Sequence, residues 1–151
     1  MTTIAWDGRT LAADRQRTHG DSRQPVCKLH DCGEYVYASC GDRPDGVAVA
    51  RWLSAGADWD KRPTLDEGGC CGIAVRKADG AVFVVEGKTV TLCPVPPGPT
   101  ATGSGKDYAL AAMACGKDAR GAVEIASRFD VFTGLGVDAV DVIAAERQAA
   151  E

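Results

Sequence analysis

No stretch of this sequence approaches the roughly 20 consecutive apolar residues a helix needs to cross a bilayer. The first residues do not read as a secretory signal, because Asp7, Arg9 and Asp14 interrupt any apolar segment there. A basic excess is missing too: 17 Lys+Arg stand against 21 Asp+Glu, for a net charge of -4. Those basic residues are scattered, so no nucleic-acid-binding stripe is expected. Neither a membrane nor a nucleic acid is therefore an expected partner. The seven cysteines, at 27, 32, 40, 70, 71, 93 and 115, are odd in number and irregular in spacing. That argues against a disulfide framework, and with no export signal reduced thiols in a cytoplasm are the expectation.

Two metal- or phosphate-binding patterns are also incomplete. Cys27, His30 and Cys32, with Cys40 or Cys70-Cys71, lack the paired Cys-x-x-Cys or spaced His knuckles of common zinc sites. Free, buried cysteines are the simpler reading. Gly103-Ser104-Gly105-Lys106 has Thr100 where a phosphate loop needs its first Gly, and Asp107 where it needs Ser or Thr.

What is present is an ordinary globular composition, 45% hydrophobic and 25% charged over 151 residues. It is enough for one domain, 1–151, with a real core. Residues 2–6 and 9–13 read as strands joined by an Asp7-Gly8 hairpin turn. Residues 15–24 are polar and turn-rich. Strands are expected at 26–30 and 34–40, and helical spacing begins after the 41–46 turn, over 47–56. A polar connector at 57–69 carries Trp59. Trp52 and Trp59 suit core or edge packing better than a partner-facing patch. A second hairpin is expected from 70–76 and 81–86 around Asp79-Gly80, then a strand at 89–93. Residues 94–99, rich in Pro, read as a stiff connector. Helices follow at 105–115 and 119–129, with Gly116 as C-cap and Asp118 as N-cap. A last strand is expected at 137–143, before a charged, frayed end at 144–151. Strands in hairpins and helices in separate groups indicate an antiparallel α+β fold.

The chemistry centres on the start of the chain. If Met1 is removed, Thr2 carries both a hydroxyl nucleophile and a free α-amine that can serve as its base. The amine's ordinary pKa of about 7.7–8.0 suits that task. A Lys⁺ beside it would lower the value further. On its own a Thr at position 2 says little.

The flanking residues say more. Thr2-Thr3-Ile4-Ala5 followed by Leu11-Ala12-Ala13-Asp14 resembles the start of HslV and the proteasome β subunits, which are N-terminal-nucleophile threonine proteases. Val26-Cys27-Lys28-Leu29 is similar to the family's catalytic-lysine segment, and Ala38-Ser39-Cys40-Gly41 to the segment with its oxyanion-hole glycine. Gly103-Ser104-Gly105 matches the family's Gly-Ser-Gly, and Asp130-Val131-Phe132-Thr133-Gly134 its Asp-Ala-Tyr-Ser-Gly type motif. The order is kept along nearly the whole chain.

The resemblance implies a four-layer αββα sandwich in which Thr2 attacks the peptide carbonyl. Lys28 would tune the Thr2 amine, Asp14 would hold Lys28, and the Gly41 N–H would stabilise the oxyanion. Ser104, Asp130 and Thr133 would surround the amine. It further implies homo-oligomeric stacked rings, an AAA+ unfoldase ATPase as partner and unfolded polypeptide as substrate. No cofactor is required for the chemistry. In HslV the segment matching Ser127, Asp130 and Thr133 binds a monovalent cation such as Na⁺, mainly through carbonyls. Ser127 and Asp130 here replace that family's Gly and Cys, and Asp42-Arg43-Pro44-Asp45 replaces its usual continuation after Gly41. Two other functions fit the same fold: a catalytically silent structural protein, and an N-terminal-nucleophile amidase acting on small amides.

Overall fold

A computed structural model describes residues 1–66 and 68–142, with the side chains of Cys70 and Cys71 outside the description. The expected frayed end at 144–151 and Ile143 lie outside the described residues.

The hairpin at the N-terminus forms as β1 (Thr3–Trp6) and β2 (Thr10–Asp14), with Ile4 opposite Ala13 and Trp6 opposite Leu11. Gly8 takes a positive φ of 97°, which a side chain would resist, while Asp7 Oδ1 accepts the Arg9 and Thr10 N–H groups. The other Asp7 oxygen accepts the Ala119 N–H at 2.8 Å, tying this turn to the start of a distant helix.

Residues 15–24 are not merely turns. β3 (Gln16–His19) and β4 (Ser22–Pro25) form a separate two-stranded ribbon, polar on both faces and therefore without the alternation that marks a buried strand. The next strand starts later than expected: Lys28 already accepts a ladder bond from the Ser39 N–H, but β5 runs over Leu29–Cys32, beside β6 (Tyr35–Ser39). α1 (Arg43–Ser54) begins four residues earlier than its apolar pattern suggests, because Pro44 in the first turn is pre-set for helix and needs no N–H partner there.

β7 (Cys70–Arg76), β8 (Val82–Glu86) and β9 (Thr91–Pro94) complete an antiparallel sheet ordered β5-β6-β7-β8-β9. The proline-rich segment leads into β10 (Thr100–Gly103), a strand its composition conceals, which pairs with β1 along Thr3–Trp6. α2 (Lys106–Ala114) and α3 (Ala119–Phe129) follow, and the Asp118 side chain caps α3 by accepting the Gly121 N–H. β11 (Val137–Asp141) then joins β2, so the first sheet reads β10-β1-β2-β11.

The strand alternation explains the layering. Ile4, Trp6, Leu11 and Ala13 face Val36, Ala38, Ile73 and Val75 between the sheets. The opposite face of the first sheet presents Ala5 and Ala12 to Ala109, Met113 and Val123 of α2 and α3. On the far side, Tyr35, Tyr37 and Ala74 pack on Val49, Trp52 and Leu53 of α1. The result is a helix–sheet–sheet–helix sandwich, as expected. Trp52 belongs to its outer core and donates Nε1–H to the Asp58 carbonyl at 2.9 Å. Trp59 is exposed, with the Arg62 guanidinium 3.5 Å above its ring.

Candidate active site

Three side chains from different elements meet at the end of β1. Thr2 precedes β1, Asp14 closes β2, and Lys28 precedes β5 in the other sheet. The Lys28 ammonium donates to Thr2 Oγ1 at 2.9 Å and to Asp14 Oδ1 at 2.8 Å. All three residues are buried, Asp14 completely. Asp14 is anchored further by backbone donors: Thr3 N–H on Oδ1 at 3.0 Å, and Gln16 and Gly134 N–H on Oδ2, each at 3.1 Å. Such a carboxylate is satisfied and immobile, and it fixes Lys28 in turn. Burial draws the Lys28 ammonium below its ordinary pKa, while the charge and hydrogen bond of Asp14 push back.

A second cluster adjoins the first. Asp130, following α3, accepts from Ser104 Oγ and Thr133 Oγ1, each at 2.6 Å, and from the Phe132 N–H at 3.2 Å. Thr133 also shares a 2.7 Å hydrogen bond with Thr3 Oγ1, and Ser104 Oγ lies 3.4 Å from the Thr2 carbonyl. Desolvation opposes ionisation of Asp130, but the hydrogen bonds and the positive chain terminus together outweigh it and hold its carboxyl below the ordinary range. Ser104 thus does not cap α2, whose start lacks a side-chain cap.

The glycines of Gly103-Ser104-Gly105 have a steric cause. A Cβ on Gly103, whose φ is +97°, would collide with the Thr2 carbonyl, and one on Gly105 with Thr3 Oγ1. Close approach of this segment to the backbone of Thr2 and Thr3 therefore requires glycine at both places.

Thr2 and Lys28 open onto a cleft of about 250 Å³ that Gly41 also lines. Gly41 has a φ of +82° at the junction of β6 and α1. Its N–H has no acceptor among the described residues. His30, on the same cleft, stacks on Tyr37 and lies 3.3 Å from Ser39 Oγ, and burial pulls its pKa below the usual value.

Ser127 stands apart from these groups: it is exposed on α3, and its hydroxyl donates to the Glu124 carbonyl at 2.6 Å. Among the described residues no cluster of His, Cys, Asp or Glu is arranged to hold a metal.

Sequence reasoning passed over two participants. Thr3 is fully buried at a strand start, and a threonine so placed must find a hydroxyl partner, here Thr133. Gln16, also buried, donates Nε2–H to Val131 O and Thr18 Oγ1, each at 3.0 Å, so it braces the loop behind Asp130. Its position in a polar stretch gave no signal of burial.

The αββα layering is the fold of the N-terminal-nucleophile hydrolases. More narrowly, the fold is that of HslV and the proteasome β subunits. Thiobacillus denitrificans BPH in complex with epoxomicin superposes with a TM-score of 0.67, at 23% identity over 92% of this chain and 96% of that one. Another structure of Thiobacillus denitrificans BPH gives a TM-score of 0.65, at 20% identity over 92% of this chain and 95% of that one. The eukaryotic HslV from Trypanosoma brucei gives 0.61, at 23% identity over 92% of this chain and 97% of that one. No protein-family model and no curated protein matches the sequence.

Proposed function

We propose that this protein is a threonine-type endopeptidase whose nucleophile is Thr2 Oγ1 once Met1 has been removed. The observation that carries this reading is the Lys28 ammonium shared between Thr2 Oγ1 and the fully buried Asp14. A cation held there stabilises negative charge developing on Oγ1 and disfavours protonation of the neighbouring amine.

The freed Thr2 amine takes the hydroxyl proton as Oγ1 bonds to the peptide carbonyl carbon. The oxyanion so formed accepts the Gly41 N–H. Collapse breaks the C–N bond, and the amine delivers its proton to the departing nitrogen. Water, deprotonated by the same amine, then hydrolyses the acyl ester. Ser104 lies against the Thr2 carbonyl, Thr133 holds the Thr3 hydroxyl, and Asp130 anchors both and places a negative charge near the chain terminus. Met1 must leave, because while it is attached the Thr2 nitrogen is an amide and cannot act as a base.

The same reading extends to assembly: homo-oligomeric rings enclosing the active sites in the cytoplasm, fed with unfolded polypeptide by an AAA+ ATPase. A structural monovalent cation would have to rest on carbonyls near Asp130 and Thr133, since the Ser127 hydroxyl is turned to Glu124.

Intact-mass measurement of the purified protein is expected to show loss of Met1. A peptide epoxyketone offers one electrophilic carbon to Oγ1 and another to the amine, so its double adduct reports both groups on one residue. Epoxomicin, bound in the BPH neighbour, is the first probe to use. One adduct per processed chain is expected, and none on Thr2→Ala. Retention of Met1 in the protein from its own host would sink the mechanism and favour the catalytically silent reading. Labelling without cleavage of peptides, but with turnover of small amides, would favour the amidase.

A further inference from the structure

We infer that the cleft beside Thr2 selects substrates with an acidic side chain, Glu above all, on the residue whose carbonyl Thr2 attacks. This rests on the peptidase reading and adds to it the chemistry of the substrate. That side chain is two bonds from the attacked carbon, so it must lie in the cleft that Thr2, Lys28 and Gly41 share.

The ionisable lining of that cleft is mostly basic: Arg17, His19, Lys28, His30 and Arg43 against a single acid, Asp42. Lys28 is already matched by Asp14. Arg17 and Arg43 have no ion-pair partner among the described residues. The two guanidiniums therefore exceed the one carboxylate, and each presents a fork suited to a carboxylate. Arg17 is half-buried on β3, so it starts partly desolvated and an incoming anion meets it in reduced screening. Arg43 opens the 12-residue α1, whose positive end adds to the same potential, and the Asp42 side chain does not cap it.

The apolar lining is thin. Val26 and Val47 supply methyl groups at the walls. They can pack on the two methylenes of Glu but do not make a pocket that would reward Leu or Phe. A Lys or Arg side chain would meet two like charges.

The test compares three peptide epoxyketones, identical except for Glu, Leu or Lys at the residue bearing the ketone. Labelling rates are read by intact mass on the Met1-free protein. In parallel, calorimetry measures binding of acetylated peptide amides ending in Glu, Leu or Lys to Thr2→Ala. Glu is expected to lead Leu by about tenfold and Lys by more, since two partly screened charge pairs supply about that factor. The preference should weaken as salt rises, and should reverse in favour of Lys in Arg17→Glu/Arg43→Glu. A faster Leu probe, or a Glu preference unmoved by the charge reversal, would overturn the inference while leaving the peptidase standing. If no probe labels Thr2 but Thr2→Ala still binds the Glu peptide tightest, the peptidase reading fails and the cleft assignment survives. If neither occurs, both are wrong.

Discussion

Lys28 carries its charge into a place where its side chain is 8% exposed, against an Asp14 side chain at 0%. Buried pairs of this kind seldom add much stability over a hydrophobic substitute, but breaking one from a single side leaves the other charge stranded. Lys28→Met should therefore destabilise the fold by about 3–5 kcal/mol, read from urea unfolding. Loss of epoxyketone labelling in that variant has to be judged at a temperature where it remains folded. A Lys28→Met protein as stable as the parent would show that the buried pair contributes nothing to holding the fold. Asp130 makes a different prediction, one of pH. Its carboxyl is held below the ordinary value, chiefly against desolvation and through Ser104 and Thr133. A depressed carboxylate contributes stability that is whole above its unfolded value and is lost as pH falls through its folded one. Asp130→Asn should therefore show a shallower fall in Tm with acidification below about pH 4 than the parent, the unfolded Asp value being about 3.9. Parallel Tm curves would remove Asp130 from the acid response.

At the scale of elements, the first sheet joins segments far apart in sequence, with β10 and β11 flanking the N-terminal hairpin. In the β10–β1 contact Gly103 lies against the Thr2 carbonyl at a φ of +97°. Gly103→Ala is expected to cost about 1–3 kcal/mol from backbone strain alone, with more from the clash. It should also displace the Thr2 backbone, so labelling ought to fall further than the stability loss explains; equal losses would make the glycine merely structural. A milder effect belongs to the hairpin turn. Asp7 Oδ2 accepts the Ala119 N–H at the start of α3. Asp7→Ala removes that bond and two turn bonds, and a loss of about 0.5–2 kcal/mol is expected from chemical denaturation. Site geometry, reported by labelling rate, should be nearly unchanged there.

The whole molecule leaves apolar surface around α2 and the segment after α3. Tyr108 and Phe129 stack at 5.4 Å, and Phe129 and Val131 are 63% and 76% exposed. Leu135 adds to the exposed apolar side chains. Exposed apolar groups that cluster in this way mark association surfaces more often than isolated ones do. Under the ring reading, light scattering should give a mass several times the 15.7 kDa of one chain. Phe129→Glu should shift the protein toward that single-chain mass without changing its circular dichroism. A parent protein that is monomeric at high concentration would count against the ring.

Much of this was legible in particular residues. The Asp7-Gly8 turn between two apolar runs set the first hairpin, because a positive φ at Gly8 and the Asp side chain are local properties. The period-3.6 spacing of Ala122, Val123 and Ala126, after the Asp118 cap, set α3 for the same reason. The antiparallel α+β class followed from strands in hairpins and helices in separate groups, while the four layers came only with the family resemblance. By contrast, β3 and β4 carry no apolar face, and β10 follows a proline-rich segment, so their pairing is decided by what lies beside them. The Gly-Ser-Gly at 103–105 could be matched to a family pattern in the sequence. Only the fold supplied its cause, the approach to Thr2 and Thr3. The buried positions of Thr3 and Gln16, and the use of Ser104 on Asp130 instead of on α2, were likewise decided there. A sequence determines what each residue can donate, accept or pack. Which groups from positions 2, 14 and 28 share one buried proton-donating ammonium depends on chain crossings between two sheets, and those are fixed only when the core closes.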